Sequence, residues 1–212
     1  MQNTEFDEAV DKHSINPGFQ MFEKRVSGMF LGEILRQSLL SLIHKSKLFS
    51  GKTSEPLSTQ YGIDTSAMST VASDPTPHLD KVRQVVTDTW GIPNPSYEDL
   101  QAVQLVSNAI VRRSARLAAV AISAVSEQSG RFKDATEKKP VDVGADGSLV
   151  EFYPEYVDMC LAACEEILGN NASKRIRIEL QKDGSGVGAA LYDPFPSLLI
   201  LFLLVVLCGC RG

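Results

Sequence analysis

Apolar residues return at steps of three and four along three stretches of this chain and alternate with charged ones along a fourth. Those periods set out most of its elements. Phe19, Phe22, Val26, Phe30 and Ile34 line one face of a helix that runs to about residue 45, and that face reads as core. Asn16-Pro17-Gly18 opens it, because Asn16 can cap and Pro17 stands in the first turn, where its missing N–H costs nothing. Gly28 and Gly32 interrupt the helix, each at about 1 kcal/mol relative to alanine. Either close packing of another element or close approach of a ligand to the backbone would require the missing side chains, and the two stand open. Residues 50–76, rich in Ser, Thr, Gly and Pro without a sustained period, read as a long connection. Residues 77–90 form a short helix that Ile92-Pro93-Asn94-Pro95 ends.

Ser96 then caps the best-determined helix, with Asp99 three positions on and Leu100, Val103, Val106, Ile110, Leu117, Val120 and Ala124 at helical spacing. Its basic cluster, Arg112-Arg113-Ser114-Ala115-Arg116, reads as arginines that bond neighbouring loops or carboxylates, with a phosphate site as the alternative. Residues 141–152 read as two strands around a tight Asp146-Gly147 turn, a hairpin. A helix follows over 156–168, where Val157, Leu161, Cys164 and Leu168 share a face and Cys160 and Cys164 act as small packing residues. Ile176, Ile178 and Leu180 alternate with charged residues as a half-buried strand does, and residues 182–191 pass from strand through a glycine turn into a helix start.

Composition narrows the functions. Among 212 residues, 21 basic against 26 acidic side chains give a net charge of -5, which lacks the positive field of a nucleic-acid binder. Four cysteines in two close pairs are too few for a disulfide scaffold and fit a reducing compartment. His13, His44 and His78 share no metal-binding spacing with them, so no metal site is expected. The acidic start has no apolar stretch of the secretory kind, so a cytoplasmic location is expected.

The candidate chemistry lies in Gly184, Gly186 and Gly188, at alternate positions between a strand and a helix. Free backbone N–H groups and the positive end of a helix suit an anionic or hydroxyl-rich ligand, although a strained structural turn explains the pattern as well. The turn is neither a P-loop, since the Lys-Ser/Thr pair is absent, nor the dinucleotide fingerprint, since its spacing differs.

Four segments together are far more specific. Asn16-Pro17-Gly18-Phe19-Gln20-Met21-Phe22-Glu23-Lys24-Arg25-Val26-Ser27-Gly28-Met29-Phe30-Leu31-Gly32-Glu33, then Ser114-Ala115-Arg116-Leu117-Ala118-Ala119, then Gly144-Ala145-Asp146-Gly147-Ser148, then Asp183-Gly184-Ser185-Gly186-Val187-Gly188-Ala189-Ala190 stand in this order. In order and approximate spacing the chain resembles the eukaryotic hexokinases, most of all their fungal glucokinase branch, over about residues 3–191. The resemblance implies an α/β fold, a fragment of an actin-like, ribonuclease-H-like ATPase lobe that is helix-rich with a small sheet. Residues 1–191 would be the C-terminal part of the large lobe, and 192–212 a divergent apolar tail. It implies transfer of phosphate from ATP, with Mg2+, to the 6-hydroxyl of glucose or another hexose, the first step of glycolysis. Gln20 and Glu23 match sugar-binding positions. Gly28, Gly147, Ser148, Gly184, Ser185 and Gly186 match the surroundings of the nucleotide, and Thr65 and Ser66 fall near another nucleotide-contacting stretch.

Two departures qualify that implication. The family's catalytic aspartate, its sugar-clamping lysine and asparagine and both early phosphate-binding segments precede the stretch covered here. No catalytic base is therefore assigned, and Asn3-Thr4-Glu5-Phe6-Asp7 does not supply the sugar-binding Asn-x-Glu-Trp-Gly segment. The expectation is reduced or absent catalysis from this chain alone, with a non-catalytic sugar- or nucleotide-binding remnant as the alternative. The other departure is the apolar run 198–208, shorter than the roughly 20 residues that span a bilayer. It reads as a translated intron or misread frame, with a membrane association through 195–210 as the alternative.

Overall fold

The structure, a computed structural model, describes residues 3–130, 140–169 and 171–181, and the backbone of 206–207. The first helix, α1 (Glu5–Lys12), lies in the acidic start, where the apolar period announces no element. A capping box makes it: Thr4 Oγ1 accepts from the Asp7 N–H at 3.2 Å, and Asp7 Oδ2 accepts from the Thr4 N–H at 2.8 Å. Asp7 then accepts a bidentate pair from Arg113, at 3.0 and 2.7 Å, which fastens α1 to the long helix behind it.

The single helix expected from Asn16 is instead an irregular loop and two helices. Asn16 caps nothing. Gly18 at φ 81 and Gln20 at φ 54 hold the chain in the left-handed region, so the helix begins only at α2 (Glu23–Val26). Ser27, extended at ψ 136, breaks the path again, and its hydroxyl accepts from the Met29 N–H to start α3 (Gly28–His44). The apolar period continues through the break, which is why the pattern reads as one helix. Val26, Phe30 and Ile34 are core as expected, but Phe19 is 70% exposed and Phe22 lies at the surface.

The expected connection at 50–76 holds two short helices, α4 (Glu55–Ser58) and α5 (Thr65–Ala72), the second capped by Asp64. The helix at 77–90 is α6 (Asp80–Gln84) running into a π turn, Val85–Thr89. α7 (Tyr97–Gln128) has the capping box that Ser96 and Asp99 predict. Its 32 residues span about 48 Å. Leu100, Val103 and Ile110 are buried, but farther on the buried face turns to Ser114, Ala115, Ala118 and Ile122, leaving Val120 and Ala124 exposed.

The hairpin expected at 141–152 does not form. β1 (Val141–Gly147) runs straight through the first half and pairs in parallel with β2 (Ile176–Leu180), Val141 opposite Ile176 and Ala145 opposite Leu180. Gly147, at φ 118, ends the strand, and Ser148 begins α8 (Ser148–Phe152). An Asp-Gly pair allows positive φ without requiring a hairpin. Leu149, buried in the main core, draws the chain into a helix instead. α9 (Tyr156–Leu168), at the residues expected, and α10 (Ala172–Arg175) complete the crossover that a parallel pair needs. Val206–Leu207, β3, pairs in parallel with Asp146 and Gly147 on the other side of β1.

Candidate functional site

The site residues predicted from sequence fall in three places, two of which the structure brings together. Gln20 is exposed in the loop that precedes α2, its Oε1 accepting from Asn16 Nδ2, and Glu23 is the half-buried first residue of α2. Five residues on, Gly28 opens α3 directly against α8. A Cβ built on Gly28 would stand 3.2 Å from Ser148 Oγ and 3.4 Å from Leu149 Cγ. Close packing of another element thus accounts for Gly28, and that element begins with Gly147-Ser148. Gly184, Ser185 and Gly186 lie outside the described residues.

Gly32 has a different reason. A Cβ there would meet the Ile63 carbonyl oxygen at 2.4 Å. The closeness lets Thr65 Oγ1 accept from the Gly32 N–H at 2.9 Å while donating to the Gly28 carbonyl, so one hydroxyl is inserted into the i to i−4 ladder of α3. Thr65 is thereby committed to the helix, and Ser66 serves the start of α5, its N–H donating to Asp64 Oδ1.

Sequence reasoning missed what holds this region in place. Ser114 Oγ donates to the Val26 carbonyl at 2.9 Å and stands 2.9 Å from the Tyr156 hydroxyl. With the serine proton committed to Val26, Tyr156 is the donor in that second bond, so α9 holds α7 and α7 holds the end of α2. Burial pushes the Tyr156 hydroxyl's pKa well above the usual tyrosine range. The Cys160 thiol is pushed up to about 12 by burial, so Cys160 is a packing residue, as its helical spacing predicts. The arginine cluster bonds carboxylates, the simpler of the two readings. Arg113 holds Asp7, and Arg116 makes a bidentate pair with Glu166 at 3.0 and 2.6 Å.

A second polar knot lies under α3. Glu33 accepts from Arg36 Nε at 2.8 Å, from Gln37 Nε2 at 3.0 Å and from the Tyr61 N–H at 2.7 Å, while Arg36 donates to the Leu57 carbonyl at 2.8 Å. Burial works to raise the Glu33 pKa, but the Arg36, Gln37 and Tyr61 hydrogen bonds outweigh it and hold the carboxyl below its ordinary value. Asp7 behaves alike, its burial outweighed by the Arg113 and Thr4 bonds. A cavity of about 20 Å³ beneath β1, lined by Ala118, Ile122, Val143, Tyr156, Cys160 and Ile178, is too apolar for a phosphate or a sugar. Among the described residues, no helix is long and apolar enough to cross a membrane.

A profile described as Hexokinase matches residues 1–193. Glucokinase of Aspergillus niger is 42% identical over 203 residues, 90% of this chain and 40% of its own length. Hexokinase-7 of Oryza sativa subsp. japonica is 40% identical over 188 residues, 89% of this chain and again 40% of its own. A solved hexokinase of Schistosoma mansoni complexed with glucose superposes with a TM-score of 0.77 at 32% identity, covering 89% of this chain and 40% of that one. The chain thus spans about 40% of the length of the curated relatives it matches. Its helices and small parallel sheet are a fragment of an actin-like ATPase lobe, and the chain belongs to the hexokinase family.

Proposed function

We propose that the protein carrying this chain transfers phosphate from ATP to the 6-hydroxyl of glucose or another hexose. The observation that carries the reading is the juxtaposition at Ser27. Glu23 and Gln20 lie before that break, and Gly28, packed on Ser148, lies just after it. Sugar-binding and nucleotide-binding candidates therefore share one short stretch of backbone. The glucose in the Schistosoma mansoni structure supports the sugar half.

In this reading the Glu23 carboxylate accepts hydrogen bonds from two sugar hydroxyls and Gln20 adds a donor and an acceptor beside it. The nucleotide would lie beside the contact of Gly28 with Ser148, at Gly147 and Ser148, and Gly184, Ser185 and Gly186 are its further candidate residues. Among the described residues no three His, Cys, Asp or Glu side chains come together. Mg2+ would act at the phosphates of ATP, where it neutralises charge. The general base belongs, by the family pattern, to a segment that these 212 residues do not include.

Ligand titration tests the reading. The 212-residue polypeptide is expected to bind glucose weakly, with Glu23→Gln weakening it on the order of tenfold through loss of a charged acceptor, and to form no ADP above an enzyme-free control. Equal glucose binding by the two proteins would overturn the assignment of Glu23, and clear turnover would overturn the placing of the base. We further propose residues 1–191 as lobe and 192–212 as a divergent tail. The proposed location is cytoplasmic, supported by the buried free thiols of Cys160 and Cys164. Pelleting with membranes and resistance to carbonate extraction would place the protein on membranes through 195–210 instead.

A further inference from the structure

The loop of residues 14–22 has almost no packing to hold it. Ile15 and Phe19 are exposed, and a Cβ on Gly18 would meet nothing within 4 Å. A lysine fixes it instead. Lys24, with a side chain only 3% exposed, donates from Nζ to Asp11 Oδ1 at 2.7 Å and to the Asn16 carbonyl at 2.7 Å. The same Asp11 carboxylate receives the Gly18 N–H at 3.0 Å on each oxygen. Asn16, held by its carbonyl, turns its side-chain amide onto Gln20 Oε1.

We propose that Asp11 and Lys24 are positioning residues for the hexose, a clasp that sets both Gln20 and Glu23. This rests on the reading of those two as sugar ligands. Two paths leave the clasp. One runs through Asn16 to the Gln20 amide. The other is the helix itself: neighbouring residues of α2 point about 100° apart, so drawing Lys24 inward fixes the direction of Glu23. Asp11 is a firm anchor because α1 is tied to α7 through Asp7 and Arg113. Burying an ammonium costs free energy even when it is paired, and an apolar stem would fill the place more cheaply. What the charge contributes is geometry, two acceptors drawn to one point.

The test uses the 212-residue chain, its Lys24→Met variant, which keeps an apolar stem in the buried place, and Asn16→Ala, which cuts only the path to Gln20. Glucose and ATP affinities are measured by titration, and exchange of the Gly18 amide by NMR. The expected result for Lys24→Met is glucose affinity weaker on the order of tenfold, from loss of bonds to a charged group. ATP affinity and circular dichroism should be unchanged, and the Gly18 amide should exchange faster. Asn16→Ala should show a smaller loss in the same direction. Wild-type glucose affinity in Lys24→Met, unchanged Gly18 exchange, or a parallel fall in both affinities would overturn the proposal. A wild-type chain that binds no hexose would overturn the reading beneath it, and that result appears before any variant is made.

Discussion

The start of α3 and the loop of residues 14–22 are joined through the four residues of α2 yet hold their shape by opposite means. Around Gly32 the backbone is so close to Ile63 that only hydrogen fits, Thr65 spans the helical ladder, and Glu33 accepts four hydrogen bonds, two from Arg36 (Nε and Nη2) and one each from Gln37 and Tyr61. Around Gly18 the side chains face water and the order comes from one lysine and one aspartate. Dense packing transmits any change of volume into stability. A loop held by polar ties can be altered in shape with little change in stability, which suits the proposed sugar-binding segment.

The comparison breaks first at Glu33. Glu33→Ala leaves the Arg36 guanidinium buried without its carboxylate and is expected to cost about 3–5 kcal/mol in urea unfolding. A loss under about 1 kcal/mol would show that α3 is not held by this knot. Gly32→Ala should follow at about 1–3 kcal/mol, because the new methyl must push the Ile63 carbonyl away. Tolerance of alanine there would mean that α5 and α3 are less closely fitted than the 2.4 Å approach indicates.

Acid sharpens the same contrast. Glu33 and Asp7 have folded pKa values below their ordinary ones, 4.5 and 3.8, so each contributes stability above the unfolded pKa that is lost as pH falls through the folded value. Stability should therefore drop from about pH 5 downward, and Glu33→Gln or Asp7→Asn should flatten that slope. Identical slopes in wild type and both variants would remove these carboxylates from the account. Asp11, on α1, is lowered by the Lys24 bond and the Gly18 N–H and acts on the loop it holds. Its titration should alter Gly18 exchange more than global unfolding. The smallest effect is expected from Phe19→Ser, within about 0.5 kcal/mol, since an exposed side chain has little burial to lose. A larger loss would mean that the loop is packed after all.

Elements with a local cause were legible in advance where an apolar period accompanied the cap; α1 and α5, capped as locally by Thr4 and Asp64, lack that period and were not. Ser96 and Asp99 announce α7 because a capping box is made within four residues, and the spacings in 156–168 and 176–180 answer to a helix and a strand, although Leu180 is exposed and the face buried on α9 is that of Tyr156, Cys160, Ala163 and Cys164. The juxtaposition in the candidate site was legible only through motif likeness. No period or spacing says that Gly28 meets Ser148, 120 positions away, or that Ser114 and Tyr156 hold Val26.

By itself, then, the order of residues determined the family, the main helices and the types of side chain proposed for a sugar and a nucleotide. These follow from short-range geometry and from motifs that survive in sequence. Tertiary structure decided the rest. It turned the Asp146-Gly147 pair into a strand end, since the partner of β1 is the distant β2 rather than the next segment. It split the first long helix at Ser27 and gave Gly28 and Gly32 separate reasons for lacking a side chain. It also buried Lys24 beneath an exposed loop. Apart from the break at Ser27, whose cap is local, the deciding contact joins segments that a local pattern cannot relate, because backbone propensities act over a few residues whereas steric fit and desolvated charge act across whatever the fold brings together.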